Sequence, residues 1–493
     1  MIKRFLLREE YFGGLLYDRQ IWKHEILNRW QTRALQLSGL PVDSIHKHLQ
    51  TQDLTAKNYN SEMDDSIVKK MNSTLPSLKE LELFLKEKAA QQVLVDGLLQ
   101  ADRTAIRRPL KYPMLSAPLG IIIDVDKECN MACFHCYNIE DRKRKDESGQ
   151  LLTAEQIIDF FEQARDMGVV YTNLQGGEAS MHPRWKEISS KAIDCGLATT
   201  LYTNGYYKGR EKVLKEIAAM RFKEIRITFA GLKDMHDKLR SAKPVINGIG
   251  APTFAELIKT LDYLLSKKSN VKLNFVLGKN NMHQVEEFTR IMAAKARFYG
   301  KPFDINFGPQ RPFGEGFTCP GDPNGENMLR APEFYKVNQL IEKLREDPEI
   351  KDSGINLLVV FDILSKTKDY PIVPRDLRRD GCGTAKRCFS VSYRGDISIC
   401  NFMTSCKIIP SGGNIKDQTL EDLWFESPLL EYGRKYEKEQ CIGCEKYTKQ
   451  CQGICPAMAL YTNLNTTKDM TKGDPGCFKH LLPKEEQKWT VKQ

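Results

Sequence analysis

Cys129, Cys133 and Cys136 are separated by three and two residues, so three thiols fall within one short stretch. They follow a strand-like run from Leu119 to Asp124. Three thiolates presented by one tight loop can hold three corners of an iron–sulfur cubane and leave the fourth iron without a protein ligand. An iron left open in this way can chelate a substrate while the cluster supplies an electron. A structural zinc site would need a fourth closing ligand. The local candidate, His135, lies between two of the cysteines, where joint coordination is awkward.

Eight more cysteines form a second field: Cys382, Cys388, Cys400, Cys441, Cys444, Cys451, Cys455 and Cys477. Eight thiolates make two complete sets of four, and spacing alone leaves two clusters and two zinc ribbons equally open. Clustered cysteines in a large cytoplasmic chain favour metal or redox chemistry over disulfides. Of the rest, Cys195 reads as a core residue, Cys406 as a bystander, and Cys319 as a loop thiol.

The elements that must position these groups alternate. Strands are expected at Leu119–Asp124, Val170–Leu174, Ala198–Thr203, Glu224–Phe229, Val271–Leu277 and Phe303–Phe307. Helical periodicity fills the gaps at Ala154–Met167, Trp185–Ile193, Glu211–Met220, Thr253–Leu265 and Val285–Ala294. Such alternation argues for parallel strands with helical crossovers, in an open barrel or a doubly wound sheet. Gln175-Gly176-Gly177-Glu178 closes the second strand and Thr203-Asn204-Gly205 the third. Both lie at carboxyl ends, where βα folds place their ligands, and glycines there let backbone approach a ligand closely.

Residues 1 to about 95 carry no cysteine. Lys3 to Glu10, a turn at Gly13-Gly14 and Leu15-Leu16-Tyr17 read as a hairpin. Helices follow at Asn28–Leu37, Val42–Leu49 and Leu78–Lys88, then a linker over Gln100–Ser116. Beyond the last strand comes an irregular bridge with one helix, Glu333–Leu344.

The 493 residues are 41% hydrophobic and 28% charged, ordinary globular values that exclude collagen-like and globally disordered chains. The longest nearly uncharged apolar run, Ile355 to Phe361, is far shorter than the roughly 18 residues a spanning helix needs. Charge returns at Arg8, so the start lacks a signal-peptide core. The net charge of +10 is interleaved, and its densest basic run, Arg142 to Lys145, is flanked by Asp141, Asp146 and Glu147. A soluble cytoplasmic protein without nucleic-acid or membrane partners is expected.

The first cysteine motif resembles the signature of the radical S-adenosylmethionine (SAM) superfamily. Gly176-Gly177-Glu178 resembles that family's Gly-Gly-Glu motif for the methionine amino group, with Ala179 where Pro is usual. The resemblance implies cofactor contacts from Gly176, Gly177, Glu178, Thr203 and Asn204, with His135 where the family has an aromatic residue beside the adenine. It also implies reductive cleavage of SAM to a 5′-deoxyadenosyl radical that abstracts hydrogen from substrate.

The second field resembles the twin-cluster SPASM extension, with six residues instead of five between Cys444 and Cys451. By that resemblance Cys382, Cys388, Cys400 and Cys455 hold one auxiliary 4Fe–4S cluster and Cys441, Cys444, Cys451 and Cys477 another. Three 4Fe–4S clusters and SAM are then the cofactors. Sulfatase-maturing members carry a general-base Asp after the third of these cysteines. Here the position is Asn401, which cannot take a proton at neutral pH, so formylglycine formation is not expected.

Leu6 to Asp18 resembles the leader-recognition domains of ribosomal peptide maturases, which add a leader strand to a small sheet. The implied protein is a leader-recognition-like, winged-helix-like domain (1–95), a linker (96–116), a partial (βα)6 barrel (117–310), a bridge (311–380), an auxiliary-cluster domain (381–480) and a tail (481–493). Removing residues 1–95 is expected to leave the barrel intact. The implied function is oxidative cross-linking or backbone excision on a precursor peptide of leader plus core, with a reductase, flavodoxin or ferredoxin as electron donor. Rival readings are an enzyme for a small tetrapyrrole or quinone precursor, and a zinc-bearing peptide adaptor.

Overall fold

A computed structural model describes residues 2–51, 74–110, 112, 114–136, 138, 150–246, 249–310, 327–359, 383–404, 409–435, 439–444, 455–462 and 477. Cys319, Cys382, Cys406 and Cys451, the basic run at 142–145 and the tail lie outside them.

Among the described residues the N-terminal unit has a four-stranded sheet and three helices. Strands β1 (Phe5–Glu10), β2 (Gly13–Asp18), β3 (Lys23–Leu27) and β4 (Ala101–Thr104) lie in the order β3-β2-β1-β4. Glu10 pairs with Gly13, so the hairpin turns at Tyr11-Phe12 and both glycines belong to the strand. β4 pairs parallel with β1, so the start of the expected linker is sheet. Helices α1 (Arg29–Gln36) and α3 (Leu78–Ala90) begin at capping boxes, Asn28 with Gln31 and Ser77 with Glu80, and α2 (Val42–Thr51) lies between them.

Strand alternation splits this sheet between two cores. Phe5, Leu7, Leu16 and Leu27 pack with Leu35, Ile45, Leu81 and Phe84 of the helices. Leu6, Tyr11, Phe12, Leu15 and Tyr17 face the other way and join the barrel core. A buried ion pair, Arg8 Nε to Glu10 Oε1 at 2.6 Å, fastens the junction. Arg8 Nη1 donates to the carbonyls of Pro118 (3.0 Å) and Gly168 (2.8 Å), and Ser116 N donates to Glu10 Oε2 (2.8 Å). The N-terminal unit is therefore part of the barrel's hydrophobic interior. Cutting away residues 1–95 would therefore uncover part of the barrel core, a cost that the expectation of an intact barrel did not include.

The barrel strands are β5 (Gly120–Asp126), β6 (Tyr171–Gly176), β7 (Ala198–Thr203), β8 (Glu224–Phe229), β9 (Val271–Leu277) and β10 (Asp304–Pro309), all parallel in sequence order. Crossovers are made by α4 (Ala154–Asp166), α5 (Trp185–Asp194), α6 (Glu211–Ala219), α8 (Phe254–Ser266) and α9 (Val285–Tyr299), with a short α7 (Lys233–Leu239) before α8. The six βα units hold, but the sheet is longer than expected. β11 (Asn356–Val359), from the stretch read as bridge, pairs parallel with β10. At the other edge β12 (Cys388–Val391) pairs parallel with β5, and β13 (Ile397–Ser398) antiparallel with β12. The auxiliary-cysteine region thus continues the barrel sheet.

Alternation along these strands decides what the lumen offers. On β8, Ile225, Ile227 and Phe229 are buried, while Glu224, Arg226 and Thr228 are half-buried. β9 repeats the pattern with Leu273 and Phe275 buried and Lys272 and Asn274 half-buried, as does β10 with Ile305 and Phe307 against Asn306. Apolar side chains pack outward under the helices, and the polar ones turn into the lumen.

Candidate active site

A cavity of about 420 Å3 opens at the carboxyl ends of the strands and runs into this lumen. Its size suits a cofactor or drug-sized ligand, roughly 300–1,000 Å3. Cys129, Cys133, His135 and Cys136 line it on one side, and Gly176, Gly177, Glu178, Thr203 and Asn204 line it too. Every residue expected at the SAM and first-cluster sites is thus gathered around one space.

The cluster loop is pinned by backbone. Met131–Cys133 forms a short strand against Arg240–Ala242, with Cys133 opposite Arg240. Phe134 N donates to Leu239 O at 2.8 Å. Cys129 is buried and accepts from Met131 N (3.4 Å) and Asn204 Nδ2 (3.6 Å). Among the described residues no three His, Cys, Asp or Glu side chains are spaced to share one ion. A cubane takes each thiolate on a different iron, and three cysteines lining one cavity meet that demand. The donor set fits an iron–sulfur cluster.

Besides lining the cavity, Gly176 and Gly177 have a packing task. A Cβ on Gly176, at φ +132°, would lie 2.3 Å from Asp126 O, and one on Gly177 2.1 Å from Glu128 O. Gly177 N and Glu178 N donate to those same carbonyls at 2.8 and 2.7 Å. The glycines let the end of β6 press against the backbone that enters the cluster loop.

Glu178 is buried and already engaged. Its carboxylate accepts from Ser180 Oγ (2.8 Å), Asn204 N (2.7 Å) and Tyr207 Oη (3.4 Å). Asn204 passes the connection on, donating from Nδ2 to Asn130 Oδ1 (2.7 Å) as well as to the Cys129 thiol, and accepting from Tyr206 N (2.8 Å). Thr203 Oγ1 shares a hydrogen bond with Tyr207 Oη at 2.8 Å and accepts from Gly205 N. Glu178 and Asn204 therefore tie the ends of β6 and β7 to the cluster loop. Burial, then the charge of Arg240, push the His135 imidazole down to about 3, so it is neutral at physiological pH.

Sequence reasoning passed over several cavity residues. Arg226 is held by Glu224 and by Tyr202 Oη (2.6 Å). Asn173, Asn274 and Asn306 line the lumen, and Arg240 lines the cavity beside the cluster loop. Alternating polar positions on β8 to β10 were the available signal. From the auxiliary field, Asn401 and Phe402 also reach the cavity, so this region presents a carboxamide and an aromatic ring to it.

Farther out, Cys388 begins β12, Cys400 follows β13 at the start of the short 3-10 helix Asn401–Met403, and Cys455 immediately precedes the helix Pro456–Thr462. Cys441 is buried against Ala459, and Cys477 packs on the same group. Cys444 N donates to Cys441 O at 3.1 Å. Cys195, at the end of α5, is buried core.

The model of the radical SAM superfamily matches residues 127–292, and that of the SPASM iron–sulfur cluster-binding domain matches residues 382–445. The chain carries a radical SAM domain followed by a SPASM domain. This radical SAM enzyme is 24% identical over 382 residues to the PqqA peptide cyclase of Methylobacterium sp. (strain 4-46), covering 74% of this chain and 87% of that one. It is 22% identical over 381 residues to the mycofactocin maturase MftC of Mycobacterium ulcerans (strain Agy99), covering 74% and 88%. Its fold is that of SuiB from Streptococcus suis. The SAM-bound structure superposes with a TM-score of 0.64 at 16% identity over 96% of this chain and 98% of that one. The SuiB structure bound to precursor peptide SuiA gives 0.63 at 15% identity over 95% and 97%. No helix among the described residues is long and apolar enough to cross a membrane.

Proposed function

We propose that this radical SAM enzyme oxidatively modifies a ribosomally made precursor peptide, by a cross-link or a backbone excision. The observation that carries the reading is the single cavity in which three thiols face Gly176-Gly177-Glu178 above a polar lumen. In this reading Cys129, Cys133 and Cys136 hold the SAM-binding cluster. Cys382, Cys388, Cys400 and Cys455 hold one auxiliary 4Fe–4S cluster, and Cys441, Cys444, Cys451 and Cys477 the other. The common packing of Cys441 and Cys477 supports the second set. Bound together, the open cluster and SAM supply a 5′-deoxyadenosyl radical.

The chain's own residues prepare the space for that chemistry. Glu178 offers an anionic acceptor for the cofactor's ammonium while it fixes Asn204. The backbone and Asn204 donors on Cys129 orient a thiolate and moderate its charge. Outward-packed Ile227, Phe229, Phe275 and Phe307 close the barrel wall against water, while Tyr202, Arg226, Asn274 and Asn306 give a substrate polar partners. A flavodoxin, ferredoxin or reductase would supply the electron that SAM cleavage consumes. Hydrogen abstraction takes one electron from the peptide with the hydrogen atom, and the auxiliary clusters would accept the one electron left on the peptide radical and return it to the SAM-binding cluster or to the carrier.

The N-terminal unit serves as a winged-helix-like leader-recognition domain. Among the described residues β3 is the outer strand of its sheet, and a leader segment would add beside it as a further strand. The relatives named for peptide cyclisation and maturation, and the peptide-bound SuiB, support this substrate class. The test is anaerobic turnover of the reduced holoenzyme with SAM and synthetic peptides from short reading frames beside its gene. The expected result is a peptide lighter by two hydrogens for a cross-link, or by the mass of the lost fragment for a backbone excision, formed with 5′-deoxyadenosine. Peptides recovered unchanged, with a small quinone or tetrapyrrole precursor oxidised instead, overturn the peptide reading.

A further inference from the structure

We propose that Tyr171 is a positioning and tuning residue of the first auxiliary cluster: its phenol, laid across Gly120, donates a hydrogen bond to the Cys388 thiolate and raises that cluster's reduction potential. This rests on the proposed ligand set Cys382, Cys388, Cys400 and Cys455.

Three adjacent strands make the arrangement. β6, β5 and β12 lie side by side, and Tyr171, Gly120 and Cys388 share one rung across them. Backbone hydrogen bonds fix that rung. Leu119 N and Gly120 N donate to Arg387 O (2.7 and 3.2 Å), and Val170 N and Tyr171 N donate to Leu119 O (2.8 and 3.0 Å). Partners on one rung of parallel strands face the same way, and each strand repeats that face every second residue. Ile122 and Asn173, two residues further along, line the cavity. The rung of Tyr171, Gly120 and Cys388 is therefore the next layer of the lumen face, toward the foot of the barrel.

Its middle member has no side chain, and the gap is filled by a ring. A Cβ on Gly120 would lie 2.0 Å from Tyr171 Cε2 and 2.1 Å from Cζ, so the aromatic ring rests across the glycine. Neighbouring strands are about 4.8 Å apart. A ring whose Cζ hangs over the middle strand carries its hydroxyl toward the strand beyond, and the phenol is in hydrogen-bonding contact with Cys388.

The chemistry of the pair follows from its protons. Cys388 is buried, and as a thiol it donates to Gly383 O at 3.8 Å. A cluster thiolate has no proton to give and can only accept, whereas a phenol keeps its proton at physiological pH and can donate. A donor to a cluster sulfur disperses the negative charge that reduction adds, so it raises the potential. That direction suits a cluster that takes an electron from a peptide radical.

The test is an EPR-monitored redox titration of the anaerobically reconstituted holoenzyme, with iron counted first. Cys388→Ala should lose about four of twelve irons, and the midpoint that disappears identifies the cluster in question. Full iron in Cys388→Ala would overturn the ligand set and, with it, the proposal. Tyr171→Phe keeps the ring and removes only the hydroxyl. It should load all its iron, while that one midpoint becomes more negative and the other two hold. Gly120→Ala keeps the hydroxyl but drives the ring from its place, and should move the same midpoint in the same direction. An unmoved midpoint in Tyr171→Phe, or an equal shift of all three, overturns the proposal and leaves the ligand set standing.

Discussion

Arg8→Met tests whether the N-terminal sheet is built into the enzyme. Arg8 and Glu10 have 0% side-chain exposure, and the Arg8 guanidinium also serves the Pro118 and Gly168 carbonyls. Methionine keeps the volume, removes the counter-charge from a buried carboxylate and strips those carbonyls of a donor. Removing one partner of a buried pair costs about 3–5 kcal/mol. The cost should depend on pH with a definite sign. Burial raises the Glu10 pKa above its ordinary 4.5, while Arg8 and Ser116 pull it back. Without Arg8 it rises further.

A carboxyl whose folded pKa is raised contributes stability below its unfolded pKa and loses it as pH climbs through the folded one. The deficit of Arg8→Met against wild type should therefore be smallest near pH 4.5 and largest near pH 7. Urea titration of the anaerobic holoprotein at both values measures it. Arg8→Met/Glu10→Leu should regain most of the loss, because an apolar pair suits a dry site. A deficit under about 1 kcal/mol, or one that does not change with pH, would refute the claim that this pair locks the two units.

Gly177→Ala would place a methyl 2.1 Å from Glu128 O, so the cluster loop must move. Iron analysis should show a loss of about four irons per chain, with the auxiliary clusters retained; full iron content would contradict the packing role. Glu178→Gln turns an amide toward donors that now meet a carboxylate, Ser180 Oγ or Asn204 N. It should weaken SAM binding by about 1.5–3 kcal/mol and also lower thermal stability, and unchanged affinity in a titration would reduce the motif to a structural turn. Asn204→Leu removes a donor from the Cys129 thiol, so an EPR-monitored titration should find a more negative cluster potential. A potential that holds or rises would count against that contact.

Much of the site was legible because its chemistry sits in short local runs. Cys129-x3-Cys133-x2-Cys136 and Gly176-Gly177-Glu178 could be read directly, and the alternation of strand-like with helical runs located Ala198–Thr203, Glu224–Phe229 and Val271–Leu277 to the residue. What escaped depends on pairing between distant segments. The strand Asn356–Val359 is too short to stand apart from its surroundings until it is seen beside β10. Ala101–Thr104 reads as linker because only β1 makes it a strand. Arg240 looks like a helix-end cation, and its place opposite Cys133 comes from a ladder that no local pattern announces. The two glycines were noticed for the right conformational reason, but the close neighbour is the chain's own backbone. The N-terminal sheet showed its apolar residues, yet the division of Leu6 and Leu15 from Leu7 and Leu16 between two cores appears only in three dimensions.

The central claim is that Cys129, Cys133 and Cys136 hold the cluster that cleaves SAM. The most direct measurement is 5′-deoxyadenosine formation by the dithionite-reduced holoenzyme and by its Cys129→Ala/Cys133→Ala/Cys136→Ala variant, with iron counted in both. The wild type should carry about twelve irons and form the product, and the variant about eight irons and none. Continued 5′-deoxyadenosine formation by the triple variant would contradict the account.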